Sequence, residues 1–480
     1  MHKKFSKIFT RFDARKTAVA DTNLYINNFY NFCNFDNSPK SYMPLNAFNG
    51  GKLAGEAPLD SLLMPQNVGN KSCVFFFRKL LSENVTEQNQ LVLFDNEYQG
   101  YVLNLGTDTT FTAVASLKFA DKPTATYYNL NGEDVLLLSS PKDSLTVWRG
   151  SGVAETVIDA PNISSMTIHY ERLFAVSPNA PRRLFYTSDF DITNWNLSLA
   201  GAGFIDFADE RGDLKKVVSF GGYLYIFREY GITRLYASGI STGFTVSQIF
   251  STSARIVDST IAVVDNKIVF ATTESFYVFD GASAQKIYEN VFPAIEILDG
   301  SMATTAKGKY LLVCYSPYAA AALNGGAKVC NTLLVLDMEG GFGLASKFIL
   351  ASVDAVRASG YDNLICLAAN AQSGYSLFEL GETAADDLIS KIKFPLCGFG
   401  FSGAKICFNK LTVKALNNII LSLANEKGES DSRTIYGGAP ISRKFSFCGK
   451  QISLEFTFSG VADKSLLDAV EIDVVGGRND

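Results

Sequence analysis

Along most of this chain a short apolar run is followed by a polar turn and a second apolar run that closes on Asp, Gly or Asn. The pattern reads Val135-Leu136-Leu137-Leu138 then Leu145-Thr146-Val147-Trp148, and it returns at 173–176 with 184–186 and at 223–227 with 232–236. Further copies lie at 268–270 with 276–280, at 311–314 with 333–337 and at 364–367 with 376–380, and an earlier one joins 74–77 to 91–95. Runs this short, rich in Val, Ile, Phe and Tyr and bounded by Gly and Asp, predict β-hairpins. One hairpin buries too little apolar surface to stand alone. Seven copies at intervals of roughly 40 to 60 residues therefore predict small antiparallel sheets stacked around an axis, an all-β fold of the six- or seven-bladed β-propeller type.

Two stretches have a different texture. Residues 1–65 mix Asn with aromatics and show little alternation, which predicts an extended N-terminal arm whose Tyr30, Phe32 and Phe35 seek burial on a neighbouring subunit or partner. Residues 66–382 hold the repeats. After the acidic junction Thr383-Ala384-Ala385-Asp386-Asp387, residues 383–480 alternate polar and apolar positions cleanly, as in Gln451-Ile452-Ser453-Leu454-Glu455-Phe456, which predicts a C-terminal β-sandwich.

The formal charge of −5 is mild, so the chain has no broad basic footprint for gripping nucleic acid; only the start, with Lys3, Lys4, Lys7, Arg11, Arg15 and Lys16, is locally basic. No apolar core follows that basic start, and no apolar run reaches the roughly 18–20 residues that cross a bilayer, so neither a signal peptide nor membrane insertion is expected. The eight cysteines lie far apart without a C-x-x-C pair, and they are expected to be reduced core residues of a protein made in a cytoplasm. The three N-x-S/T triplets at Asn84, Asn162 and Asn196 are then chance matches.

Catalytic signals are thin. The chain has two histidines, His2 and His169, and His169 sits in a strand-like run where a structural role is expected. Residues 398–403 match the G-x-G-x-x-G dinucleotide fingerprint, but an apolar run suited to a strand follows them, so a linker turn is expected there. Paired carboxylates for glycoside hydrolysis cannot be assigned from sequence spacing. No metal, cofactor or catalytic residue is assigned. Ser188, Asp189, Asn194 and Trp195 resemble the Asp-box turns of sialidase-like propellers, though without the glycine of that box, and they are expected to be structural.

A second resemblance covers more of the chain. The segments Arg183-Leu184-Phe185-Tyr186-Thr187-Ser188-Asp189, Asn194-Trp195, and Val217 to Arg228 with Gly231-Ile232-Thr233-Arg234-Leu235 are similar to the propeller core of bacteriophage tail hub and nozzle proteins, including the packaged-DNA stabilisation proteins of short-tailed phages. The arm segment 30–37 and the closing strands are similar as well. The resemblance implies a non-enzymatic virion protein, made in the host cytoplasm, that forms a homo-oligomeric ring below the portal. It would meet portal or adaptor and fibre or spike proteins and let double-stranded DNA pass. The alternatives are a propeller recognition module, including a receptor-binding tail component, and a propeller glycosidase.

Overall fold

The computed structural model describes residues 2–6, 18–19, 28–30, 32–34, 43–44, 52–53 and 57–59 of the first 61, and from 62 onward all but 82–85, 199–200, 318–327, 339–341, 346–348, 359–360, 371–373, 380–388, 402, 415–417, 439–440, 460–468 and 477–480. Strands dominate, with short 3-10 turns at Ser241–Gly243 and Glu289–Ala294. Among the described residues, no helix is long and apolar enough to cross a membrane.

Seven antiparallel sheets follow one another in chain order, the first six built around four consecutive strands and the seventh of three. Their first strands are Cys73–Leu81, Thr124–Leu130, Ser165–His169, Leu214–Phe220, Ile256–Val264, Met302–Ala306 and Ile349–Ala358. The second and third strands carry the apolar runs, and the side-chain period of two sends alternate residues to opposite faces. Leu136 and Leu138 pack against sheet 1 with Phe77 and Val92, whereas Val135 and Leu137 pack against sheet 3 with Leu173 and Ala175. The same division recurs between sheets 3 and 4, 4 and 5, 5 and 6, and 6 and 7. A final core joins sheet 7 to sheet 1 through Ile365 and Leu367 on one side and Val74, Phe76 and Leu91 on the other. The stack therefore closes on itself as a β-propeller-like ring.

Side chains bridge the first strands as well. Val74 N–H donates to Ser352 Oγ at 3.3 Å and Phe76 N–H to Asp354 Oδ2 at 2.8 Å, which ties the ends of the ring. Val217 N–H donates to Ser165 Oγ at 3.1 Å, Lys216 Nζ to Ile261 O at 2.7 Å, Tyr310 OH to Thr260 O at 2.6 Å and Arg357 Nη2 to Thr305 O at 3.0 Å.

Two further sheets follow. One has the order His2–Ser6, Ala469–Gly476, Ile406–Lys414, Ile441–Gly449, and the other runs Ala18–Val19, Leu396–Cys397, Ile452–Ser459, Ile389–Lys393, Asn28–Tyr30, with Ile419–Asn425 and Ser430–Ile435 alongside. Phe408, Leu411, Ile472 and Val474 of the first meet Ile392, Leu421, Leu454 and Phe456 of the second in one core, which continues into sheets 5 and 6.

Two expectations are corrected here. The described strands of the first 65 residues pair within the chain and not with a partner: Tyr30 pairs with Lys391, and Phe32 pairs with both Leu344 and Pro44. Phe35 lies outside the described residues. The cysteines are not all reduced: Cys407 and Cys448 face each other across two antiparallel strands and form a disulfide. Cys73, Cys314, Cys330, Cys366 and Cys397 are free and buried. The pairing register brings Cys407 and Cys448 together although 41 residues separate them, which spacing alone cannot reveal.

Candidate functional site

The Ser188–Trp195 segment is a tight corner at the end of sheet 3. Ser188 N–H donates to Asn194 O at 3.3 Å and Asn194 Nδ2 returns to Ser188 Oγ at 2.9 Å, while Asp191 Oδ1 accepts from Thr193 N–H at 3.0 Å. Asp189 lies 3.3 Å from the guanidinium of buried Arg172, which also donates to Thr187 O and Gly201 O. Trp195 is 5% exposed and packs with Leu137, Val147 and Leu173, and its indole N–H has no partner among the described residues. The four residues are thus brought together by packing and turn-closing hydrogen bonds.

His169 is buried one strand away, with Nδ1 2.9 Å from Ser219 Oγ and Nε2 unpartnered among the described residues; burial pushes its pKa down to about 4. The imidazole thus meets a serine hydroxyl at Nδ1, and among the described residues no carboxylate orients it from Nε2 as the third member of a triad would. The Gly398–Gly403 segment turns through left-handed Gly400 and Gly403 into the strand Ile406–Lys414, with Phe399 buried in the core, so no helix N-terminus awaits a pyrophosphate. Among the described residues, no group of three or more His, Cys, Asp or Glu side chains could hold a metal ion.

The best-formed cavity lies elsewhere, at one mouth of the ring's central channel. It measures about 690 Å³ and is walled by the first strands of five sheets: Phe76 and Arg78, Tyr127, Val263, Thr305, and Asp354 with Arg357. Asp134, on the second strand of sheet 2, joins them and accepts Leu80 N–H at 3.0 Å. Arg78 pairs with Glu87, yet its Nε–H is buried without a partner among the described residues. Tyr127 donates its hydroxyl to Phe76 O. Asp354 accepts from two backbone N–H groups, Phe76 and Ala355, each at 2.8 Å, and burial nonetheless pushes its pKa up to about 6. Desolvation outweighs two hydrogen bonds that favour the carboxylate, the balance found in enclosed functional clefts.

Sequence reasoning missed this site because more than 270 residues separate Phe76 from Asp354. The available signal was charged residues within largely apolar strands, Arg78 and Lys79 in 73–81 and Asp354 and Arg357 in 349–358.

No family model matches the chain, and no curated protein matches it. Similar solved structures include BBS1N in its complex with ARL6DN, with a TM-score of 0.43 and 10% identity over 66% of this chain and 95% of that one. Another is the extracellular domain of a one-component system from B. thetaiotaomicron, with a TM-score of 0.45 and 11% identity over 88% of this chain and 59% of that one. A third is the dihydro-heme d1 dehydrogenase NirN in complex with DHE, with a TM-score of 0.37 and 10% identity over 74% of each chain. These are propeller-like proteins, and no phage tail protein is among them.

Proposed function

We propose that the chain is a seven-bladed β-propeller joined to a C-terminal β-sandwich, and that it is a structural, non-enzymatic virion protein of a bacteriophage tail or neck. In this reading it is a hub or nozzle, a homo-oligomeric ring that prolongs the DNA channel below the portal and docks adaptor, fibre or spike proteins. The observation that carries the reading is the knitting of the chain's two ends. The strand His2–Ser6 pairs with Ala469–Gly476, and Phe32–Asn34 extends sheet 6, so propeller and second module share strands as well as a core. A scaffold locked in this way has few free edges, which suits a load-bearing ring component. The resemblance of residues 183–235 to tail hub proteins supports the same reading, and the mild net charge of −5 suits a wall past which DNA slides.

Electron microscopy of the purified chain mixed with portal complex tests it. A closed ring coaxial with the portal is expected; portal particles that stay bare under these conditions would count against a hub. The second reading, a recognition module, is favoured by the channel-mouth cavity.

A further inference from the structure

We propose that the channel mouth binds an acidic monosaccharide unit, a pyranose bearing a carboxylate. This deepens the recognition reading and stands whether or not the chain belongs to a tail. Tyr127 is the platform. Its hydroxyl is tied to the Phe76 carbonyl oxygen, Phe77 stacks on it at 6.4 Å and 22°, and half of its surface stays open, 50%. A ring held at one end and backed on one side presents a fixed aromatic face at little entropic cost, and the apolar face of a sugar packs on such a surface.

Two guanidinium groups flank that platform on the cavity wall. Arg357 gives Nη2 to the Thr305 carbonyl and hydroxyl oxygens, its Nε lies 3.9 Å from Asp362, and its side chain lines the cavity at 63% exposure, which leaves N–H capacity for a ligand. Arg78 keeps the unpartnered Nε–H noted above. A planar carboxylate matches the guanidinium fork of Arg357, while Arg78, whose Nη2 is held by Glu87 and whose Nε–H is enclosed, adds positive charge to the wall. Each Asp354 oxygen holds one backbone N–H and retains acceptor capacity for a sugar hydroxyl. The volume of about 690 Å³ falls within the roughly 300–1,000 Å³ of small-molecule sites.

The charged and titratable groups around Asp354 are Arg357 and Asp362 on sheet 7, Cys73 and Arg78 with its partner Glu87 on sheet 1, and Tyr127 and Asp134 on sheet 2. Asp354 titrates near 6. Below that pH its negative charge is lost while the sugar carboxylate stays ionised, so affinity for an acidic sugar rises as the pH falls from about 7 to about 5.

Isothermal titration of the intact protein with glucuronate, glucose and acetate tests the site. Glucuronate is expected to bind at least about tenfold more tightly than either comparator, and Arg357→Gln to weaken it about tenfold, with thermal unfolding followed alongside to separate loss of binding from loss of the Thr305 bridge. Arg78→Gln should do the same, and Asp354→Asn should abolish the pH dependence. Absence of glucuronate binding, equal binding of glucose or of acetate, or unchanged affinity in Arg357→Gln overturns the proposal. None of these outcomes bears on the tail reading, which the portal images test separately.

Discussion

Trp195 and His169 are both buried, each with a ring nitrogen unpartnered among the described residues, Trp195 on the side of sheet 3 that faces sheet 2 and His169 against Phe174 and Ser219 on the side that faces sheet 4. Trp195 fills the core between sheets 2 and 3, so Trp195→Ala should lower stability by about 3–5 kcal/mol in urea unfolding, and Trp195→Phe by less, because the indole N–H makes no bond to lose. The titrating residues give a second prediction. The folded-state pKa of His169 is depressed from 6.5 to about 4, so the folded state binds fewer protons than the unfolded chain between those values, and this contribution to stability is present above about 6.5 and lost as the pH falls toward 4. Asp354 works in the opposite direction: its pKa is raised from 3.8 to about 6, so its contribution is present below 3.8 and lost as the pH rises through 6. The two nearly offset each other between pH 4 and 6. Urea titrations at pH 5 and 7.5 should therefore show a steeper loss toward acid in Asp354→Asn than in the parent, and a gain toward acid in His169→Phe. The structural corner was legible in the sequence because its residues are contiguous. The channel mouth was not, because its residues come in small groups from five sheets far apart in the sequence.

At the scale of elements, legibility followed burial. In six of the seven predicted hairpins the two apolar runs are the second and third strands of a sheet, the strands that bury both faces. The outer strands escaped notice because they are half solvated: Thr245–Ser251 and Ala284–Ile287 bury none of their residues fully. The arm was misread for a related reason. Its strands are two to five residues long, too short to show a period, and are specified by the partners they join. Deleting residues 2–30 should therefore expose the C-terminal sheets to limited proteolysis while fragments spanning sheets 1–4 persist; equal resistance in the truncated protein would show that those pairings add nothing. The Cys407–Cys448 bridge closes a long loop in the same module, so the double serine variant, or reduction, should cost about 2–4 kcal/mol, read as a lower unfolding midpoint in the presence of reductant.

At the scale of the whole molecule the free sheet edges are the outer strands of the separate sheets, such as Thr245–Ser251, so contacts between copies would draw on these edges, on turns and on the second module. Among the basic residues of the second module, Arg433 is engaged within the chain, against Asp431 and over the Phe445 ring, whereas Arg443 and Lys444 are exposed and could meet an acidic neighbour. Exposed apolar tips also gather at one end of the ring, where Tyr170, Phe190 and Ile240 rise from turns of sheets 3 and 4. Phe190 N–H bonds to Glu171 O and Tyr170 OH to Gly222 O, so the tips are held in place yet separated by polar backbone and by Glu171, Asp189 and Asp191. Such a surface is a set of small anchors with a polar surround, and each contact it makes is weak until several are engaged together. The expected behaviour is a monomer or a mixed population in dilute solution that closes into a ring when portal complex supplies the template. Analytical ultracentrifugation of the chain, alone and with portal, measures this across a salt series. The portal-bound species should weaken as salt rises, because Arg443 and Lys444 are screened. A dimer that persists at high salt and ignores the portal would instead mean that these tips pair two copies, and the hub reading would fall.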